Sequence, residues 1–203
     1  DHPIVCKGFQ LLLGLEPDMA VCGEAGNGSV ALEKILALQP DVAIVELSIE
    51  GSSGLELIKQ LRAQHSKLKI LVFTMRAEAI YAERALRAGA DGYLMKEEDT
   101  EKTIEAIRVL MKGKRYLSRR LTDSMMERML ERGASAPATL DSLSDRELEV
   151  LQLIGNGTST RAIAERLHLS IKTVESHREH IKLKLGLKGA TELVSYAFNW
   201  IAG

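Results

Sequence analysis

Short apolar runs alternate with amphipathic helical patterns over residues 1–112. This alternation predicts a parallel sheet covered by helices, because strands buried on both faces carry apolar residues throughout. The predicted strands are 19–22, 42–45, 70–73 and 93–95, and the predicted helices are 4–13, 29–38, 54–64, 80–88 and 101–112. We therefore expect an α/β doubly wound fold in this part of the chain.

Residues 143–203 contain helical patterns and no strand pattern. Ser144 and Glu147 form a capping box, which predicts a helix from Asp145 that ends in the glycine-rich segment 155–157. Thr158 or Ser159 caps a second helix, Ser170 caps a third over 171–185, and a fourth covers 190–201. The short turn between the second and third helices is typical of a helix-turn-helix, whose second member enters the major groove of DNA.

A helical pattern over 118–131 and a small, nearly uncharged segment over 133–139 join these two parts. The segment is typical of a flexible linker. The helix carries a methionine-rich stripe, which suits packing and also suits docking between domains or between two chains. The predicted division is a first domain at 1–115, a linker helix and linker at 116–142, and a second domain at 143–203.

Charge is balanced over the whole chain, with 27 basic and 28 acidic residues and a formal net charge of −1. Between residues 160 and 190 the basic residues exceed the acidic ones. The basic residues there are Arg161, Arg166, Lys172, Arg178, Lys182, Lys184 and Lys188, and the acidic ones are Glu165, Glu175 and Glu179. A solvated helix face is the ordinary explanation of such a run. Next to a helix-turn-helix pattern, it indicates phosphate contacts.

Five short motifs run through the same segment. They are Leu143-Ser144-Asp145-Arg146-Glu147, Gly157-Thr158-Ser159, Ile163-Ala164, Thr173-Val174-Glu175-Ser176-His177 and Lys184-Leu185-Gly186. Together they resemble the C-terminal domain of LuxR-type transcription regulators. The resemblance implies a four-helix module that binds double-stranded DNA. Its implied phosphate contacts are Thr173, His177, Arg178 and Lys184, its implied base-edge positions are Lys172, Glu175, Ser176 and Glu179, and Lys182 completes the DNA-binding set.

Two base-edge positions are acidic. Glu175 and Glu179 stand where the nitrate-regulator branch of this family has lysines, so the target sequence of that branch does not transfer. A glutamate at such a position can accept a hydrogen bond from cytosine N4. It can instead form an ion pair with the basic side chain three residues later in the helix, here Arg178 or Lys182. Both interpretations stay open at Glu175, and the ion pair is favoured at Glu179.

Polar residues follow three of the predicted strands in the first domain. They are Glu46, Thr74 and Lys96, and Asp1 lies just ahead of the first helix. In open α/β sheets the ligand chemistry lies at the carboxyl ends of the strands. The surrounding motifs resemble the receiver domain of bacterial response regulators, and with the second domain the architecture resembles the NarL/FixJ family. Those motifs are Asp1-His2-Pro3, Pro40-Asp41-Val42, Gly54-Leu55-Glu56, Phe73-Thr74-Met75 and the segment 88–96.

In that family an aspartate after the third strand accepts a phosphoryl group, and the resemblance implies Thr74, Tyr93 and Lys96 as switch residues. Here the aligned residue is Glu46, whose carboxylate lies one methylene farther out. Because a misplacement of about 1 Å costs on the order of 10²-fold in rate, we expect phosphorylation by a sensor histidine kinase to be weak or absent. The charge of Glu46 either forms a static ion pair with Lys96, which we favour, or partly imitates a phosphoryl group.

The resemblance also implies a Mg²⁺ site. Its ligands would be Asp1, Glu46 and the Ser48 carbonyl, and Glu50 replaces a proline in the same loop. The family strand order 2-1-3-4-5 has a central strand ahead of Asp1. We expect the complete protein to contain it, because without it the apolar edges of two strands are exposed. The alternative is a receiver that is incomplete, remodelled or completed by a partner.

Other classes of function are weakly indicated. No apolar run reaches 18 residues, which favours a cytoplasmic protein without a membrane span. Cys6 and Cys22 suggest buried free thiols. His177 and His180 lack a partnering cysteine, so zinc is not expected there. No phosphate loop or nucleophile arrangement indicates an enzyme.

We therefore expect a sequence-specific transcription regulator that binds DNA as a homodimer. Its first domain controls dimerisation or access to the DNA-reading helix. The alternative is an interaction module that sequesters a transcription component without binding DNA, which the acidic residues on the reading face suggest.

Overall fold

The computed structural model describes residues 2–49, 52–130 and 140–202. The chain divides into an N-terminal unit, Asp1–Arg132, and a C-terminal unit, Gly133–Gly203. The boundaries predicted at residues 115 and 142 are finer than this division and stay predictions. Asp1, Glu50 and the predicted linker at 133–139 lie outside the described residues.

The N-terminal unit has a parallel sheet with helices between its strands. The elements in chain order are α1 Pro3–Gly14, α2 Gly28–Leu38, β1 Val42–Val45, β2 Ser48–Ile49, β3 Ser52–Ser53, α3 Gly54–Gln64, β4 Lys69–Thr74, α4 Glu78–Ala88, β5 Gly92–Met95, α5 Thr100–Met111 and α6 Arg119–Leu130. The sheet order is β1-β4-β5, with Val45 opposite Val72 and Thr74 opposite Met95. The α/β doubly wound fold is confirmed.

The core of this unit lies where β4 and β5 meet α1 and α5. Leu71, Leu94 and Leu110 are buried there, with Leu13 from α1. Arg62 ties α3 to the far end of the sheet, because its guanidinium donates to the Gly89 carbonyl and forms an ion pair with Asp91 at 2.6 Å.

The strand predicted at 19–22 is wrong, since these residues belong to no strand. A strand is defined by its hydrogen-bonded partner, and no described residue pairs with this segment. A cavity of about 1150 Å³ is lined both by Met19–Cys22 and by β1. The sequence pattern also missed β2 and β3, an antiparallel pair whose two-residue strands give no periodicity.

The C-terminal unit contains four helices after a short 3₁₀ turn at Leu140–Ser142. They are α7 Asp145–Gly155, α8 Thr160–Arg166, α9 Ile171–Leu185 and α10 Ala190–Ala202. Leu148, Leu151, Ile163, Val174, Ile181 and Leu193 are fully buried among them. Because α7 supplies several of these residues and also contacts α8, α9 and α10, it forms the centre of the unit.

Local signals explain the starts of these helices. The capping box of α7 is present, with the Ser144 hydroxyl accepting from the Glu147 amide and the Glu147 carboxylate accepting from the Ser144 amide. Ser159, and not Thr158, caps α8, and Ser170 caps α9 by accepting from the Thr173 amide at 3.0 Å. The turn between α8 and α9 contains His168 at a φ of 52°, so this residue reverses the chain within a few positions.

Candidate receiver site and nucleic-acid interface

Glu46 lies at the centre of the site in the N-terminal unit. It directly follows β1, Thr74 ends β4 and Lys96 follows β5, so the three side chains meet at one edge of the sheet. One carboxylate oxygen of Glu46 accepts from the amides of Leu47 and Ser48, at 2.7 and 3.0 Å, and from the Thr74 hydroxyl. The other oxygen forms an ion pair with Lys96 Nζ at 2.7 Å. The carboxylate therefore holds the ends of all three strands together.

The ionisation of Glu46 follows from these contacts. Burial alone would raise its pKa, but hydrogen bonds from Lys96, Thr74 and the Ser48 amide outweigh the burial and hold the pKa below its ordinary value of 4.5. Glu46 is thus a carboxylate at neutral pH.

The Thr74 hydroxyl is linked to the other switch residue through Arg76. The Arg76 amide donates to Thr74 Oγ1 at 3.2 Å, and the buried Tyr93 hydroxyl donates to the Arg76 carbonyl at 2.7 Å. The Arg76 guanidinium donates to Ser48 Oγ at 2.7 Å and lies over the Tyr81 ring. Burial raises the pKa of Tyr93 well above its ordinary value, so the phenol stays neutral. Sequence reasoning missed Arg76, because an arginine in a loop after a strand carries no pattern.

The described residues do not fit a Mg²⁺ ion as they stand. Of the expected ligands, Asp1 lies outside the described residues, and the Glu46 carboxylate already accepts four hydrogen bonds. The third expected ligand, the Ser48 carbonyl, belongs to strand β2, which pairs with β3. An ion with octahedral oxygen coordination would have to displace Lys96 or Thr74 from Glu46.

The candidate nucleic-acid interface lies on α9. Lys172, Glu175, Ser176 and Glu179 follow the i, i+3, i+4, i+7 spacing and are all exposed, on the face opposite the buried Val174 and Ile181. A second flank carries Thr173, His177, His180 and Lys184. Arg178 and Lys182 lie on the other side of the exposed face. The sequence-predicted DNA-binding residues therefore surround one exposed helix surface.

Several of these side chains have partners within the unit. Lys182 Nζ lies 2.9 Å from Glu179, which supports the ion pair expected there. The structure gives Glu175 no ion pair with a described residue, so base reading stays a prediction for it. Lys184 Nζ donates to Glu147 Oε2 at 2.7 Å, which gives this lysine a structural role that the sequence did not indicate.

His177 has a pKa below its ordinary value of 6.5. Burial lowers this pKa, Glu147 raises it in part, and the neighbouring Arg146 and His180 lower it further. The ring is neutral at pH 7 and can donate one N–H group without carrying a charge. Glu147 is likewise ionised, because its bonds from Lys184 and from the Ser144 amide outweigh the burial that would raise its pKa.

Both units match known families. Residues 1–108 match the response regulator receiver domain, and residues 141–197 match the bacterial regulatory proteins of the luxR family. Receiver domains typically bind Mg²⁺ for phosphorylation. None of the helices in the described ranges combines the length and the apolar character needed to cross a membrane.

Similar proteins support these matches over almost the whole chain. The oxygen regulatory protein NreC of Staphylococcus aureus is 39% identical over 202 residues, which cover 97% of this chain and 93% of that one. RcsB from Salmonella enterica serovar Typhimurium, bound to promoter rprA in the presence of the phosphomimetic BeF3⁻, is 26% identical with a TM-score of 0.66, covering 97% of this chain and 94% of that one.

A further structure contains two RcsB dimers bound to two parallel DNAs. It is 28% identical with a TM-score of 0.56, and the match covers 97% of this chain and 93% of that one. The chain therefore belongs to the response regulators that join a receiver domain to a LuxR-type helix-turn-helix domain, and it is a DNA-binding transcription regulator rather than an enzyme.

Proposed function

We propose that this regulator works without phosphorylation, because Glu46 permanently supplies the negative charge that a phosphoryl group would bring to the receiver. The observation that carries the proposal is the set of bonds from Glu46 to both Thr74 and Lys96. We considered a static ion pair with Lys96 and a partial imitation of a phosphoryl group as alternatives for Glu46. We propose that both hold, since the ion pair with Lys96 coexists with the hydrogen bond that draws in Thr74. The proposed activity requires neither a sensor kinase nor Mg²⁺.

The position of Tyr93 supports a fixed switch. The ring is buried and its hydroxyl is bonded to the Arg76 carbonyl, while the Arg76 amide is bonded to Thr74. Because Glu46 holds Thr74, and Thr74 is linked through Arg76 to Tyr93, the carboxylate stabilises the inward arrangement of both switch residues. The receiver then favours dimerisation or exposure of α9 at all times, in a regulator that works beside DNA in the cytoplasm.

Acetyl phosphate with Mg²⁺ is expected to add no mass to this protein and to leave its DNA affinity unchanged. The Glu46 carboxylate is occupied by four donors and lies one methylene away from the reactive position. Intact-mass spectrometry and fluorescence anisotropy with labelled duplex DNA check both statements. Glu46→Asp is the matched variant and is expected to take up one phosphoryl group if the first strand of the family order is present. A phosphoryl group found on Glu46 of the parent protein would contradict the proposal.

We further propose that α9 reads DNA with Lys172, Glu175 and Ser176, and that Thr173, His177 and Arg178 contact phosphates. Lys182 and Lys184 add positive charge at the edges of this surface. The support is the exposure of the first three side chains opposite the buried face of the helix. Lys184 is a poor test residue, because its removal also disturbs the buried Glu147.

Arg178→Ala is expected to weaken binding to all DNA sequences and to reduce the dependence of affinity on salt by about one counterion. Ser176→Ala is expected to change sequence preference while leaving affinity for random DNA nearly unchanged, because its hydroxyl bonds only the Lys172 carbonyl of its own helix. Selection from a random-duplex library, followed by salt titrations, separates the two effects. Equal losses on every sequence for both variants would refute the role of Ser176.

The homodimer remains a proposal, and we assign part of its interface to α10. Val194, Phe198 and Ile201 form an exposed apolar stripe at helical spacing, and Phe198 is 62% exposed. The same stripe on a second copy is self-complementary, as a two-fold interface requires. Phe198→Glu is expected to shift sedimentation equilibrium towards monomer, whereas Ser195→Glu, one position outside the stripe, is the control. A parent protein that stays monomeric at all concentrations contradicts this assignment.

A further inference from the structure

Three metal-ligating side chains meet beside the DNA-reading helix. Glu147 comes from α7, and His177 and His180 come from α9. One ligand atom from each lies within 4.8 Å of the others. His180 Nδ1 is 3.8 Å from Glu147 Oε1. The two histidines alone gave no reason to expect zinc, but the fold supplies the third ligand from a helix thirty residues earlier in the chain.

We propose that a divalent transition metal ion, best matched by Zn²⁺, binds to Glu147, His177 and His180 and strengthens DNA binding. The second part rests on the proposed role of His177 as a phosphate contact. Imidazole nitrogen and carboxylate oxygen are ordinary zinc ligands, and three protein ligands leave a fourth position open. Because Zn–N and Zn–O distances are about 2.0–2.2 Å, tetrahedral ligand atoms lie roughly 3.3 Å apart. The ligand atoms, which lie within 4.8 Å of one another, therefore need to approach by up to about 1.5 Å.

The surroundings allow this closure. The His180 side chain is 60% exposed, so little packing opposes a change of its rotamer, whereas the Glu147 side chain is almost fully buried. The Ser144 amide and Lys184 both bond Oε2 of Glu147, so Oε1 is the oxygen that faces His180. Hydrogen bonds that fix a ligating carboxylate in this way orient it for the metal. The ring of His177 is neutral at pH 7, as a metal ligand must be.

Positive charge nearby limits the affinity of the site. Lys184 bonds the same carboxylate, and Arg146 lies close enough to His177 to lower its pKa. Arg146 is held by Glu149 at 2.7 Å, whereas the Lys184 side chain is 39% exposed and can move into solvent. We therefore assign the site to a reversible, regulatory ion rather than to an ion that the fold needs.

The effect on DNA follows from charge and coordination. His177 and Lys184 lie on the flank of α9 assigned to phosphates, and the metal adds two positive charges there. Each imidazole uses one nitrogen for the metal and keeps the other N–H group as a donor. A phosphate oxygen is a suitable fourth ligand. Zinc is thus expected to raise affinity for DNA of any sequence about three- to tenfold.

The test begins with zinc alone. Zn²⁺ is titrated into the untagged full-length protein against a chromophoric chelator, without DNA. His180→Gln is expected to weaken zinc binding at least tenfold. His168→Asn is the matched control, because His168 is an exposed histidine of the same unit outside the three ligands, at a positive φ that asparagine accepts. The readout is the difference between parent and variant, because both contain the same two free thiols, and thiols are ordinary zinc ligands. These thiols were expected to be buried, but Cys22 is exposed and Cys6 is half-buried.

DNA affinity is then measured on random duplex with Zn²⁺, with Mg²⁺ and with a chelator. Zinc is expected to raise the affinity of the parent and of His168→Asn but not of His180→Gln, each protein being compared with its own affinity in chelator. Equal zinc affinity of parent and His180→Gln overturns the site. Zinc bound at the three ligands without any change in DNA affinity overturns the coupling. Failure of the metal-free parent to bind DNA contradicts the proposed function and leaves the zinc result standing.

Discussion

Gly155→Ala is expected to lower the free energy of unfolding of the C-terminal unit by about 2–3 kcal/mol and its melting temperature by roughly 10–20 °C. Gly155 ends α7 where that helix packs against α10. A Cβ atom added there would lie less than 3.0 Å from the Ala197 carbonyl oxygen, 2.9 Å from the Ala197 carbonyl carbon and 2.5 Å from Ile201 Cδ1. Two of these three atoms belong to the backbone, so the helices have to separate.

Separation of α7 from α10 also disturbs DNA binding. Helix α9, which carries the reading face, packs on the same central helix. We therefore expect Gly155→Ala to reduce DNA affinity at temperatures where the parent protein is fully folded. Fluorescence of Trp200 gives a specific readout, because it is the single tryptophan of the chain and lies in α10.

Two variants control this experiment. Gly189→Ala adds the same methyl group in the same unit where nothing lies within 4 Å, and its effect is expected to stay within about 0.5 kcal/mol. Ile201→Ala removes the side-chain part of the clash but not the carbonyl part. The double variant Gly155→Ala with Ile201→Ala is thus expected to remain destabilised. Full recovery in the double variant would show that the backbone approach is not the cause.

The C-terminal unit was the more predictable part of the fold, because its signals are local. Ser144, Ser159 and Ser170 each cap a helix within four residues of their own position, and a capping hydroxyl acts the same way in any fold. In the N-terminal unit the apolar run at 19–22 has the composition of a strand but no partner in the described residues. Strand formation depends on a distant neighbour, which one sequence window does not contain.

The candidate sites were also predictable only where their signals are local in the sequence. Glu46, Thr74 and Lys96 were predicted to meet, because parallel strands end at one edge of the sheet. Glu147 was recognised only as a capping residue, since its contacts with Lys184 and His180 cross 37 and 33 positions of the chain. Long-range pairs of this kind become visible only once α7 and α9 are packed together.

Glu147→Ala is expected to lower the free energy of unfolding of the C-terminal unit by about 2 kcal/mol at pH 7. Loss of the capping box accounts for about 1 kcal/mol. The ion pair with Lys184 adds up to about 1 kcal/mol, a value reduced for the exposure of the lysine. The melting temperature should fall by roughly 8–16 °C, followed by Trp200 fluorescence. Glu147→Gln keeps an acceptor for the Ser144 amide, so its free energy of unfolding is expected to fall by about half as much as that of Glu147→Ala.

Glu165→Ala is the matched control for Glu147→Ala. Glu165 also forms an ion pair, with Arg161 at 3.1 Å, but both side chains are largely exposed. Its removal is expected to change stability by less than about 0.5 kcal/mol. If both alanine variants behave alike, burial of the carboxylate is not the source of the effect.

The stability difference between the parent and Glu147→Ala depends on pH in a direction that follows from the pKa of Glu147. The pKa of Glu147 is lower in the folded unit than its ordinary value of 4.5, so the ionised form is favoured by folding. This stabilisation is fully present above pH 4.5 and is lost as the pH falls through the folded pKa. Because Glu147 also attracts the protonated form of His177, the stability gap between parent and Glu147→Ala should not narrow from pH 7 to about pH 5, and it should narrow at lower pH as Glu147 itself is protonated. A gap that does not narrow below about pH 4.5 would mean that folding does not favour the ionised form of Glu147, and its bond with Lys184 would then contribute little as an ion pair.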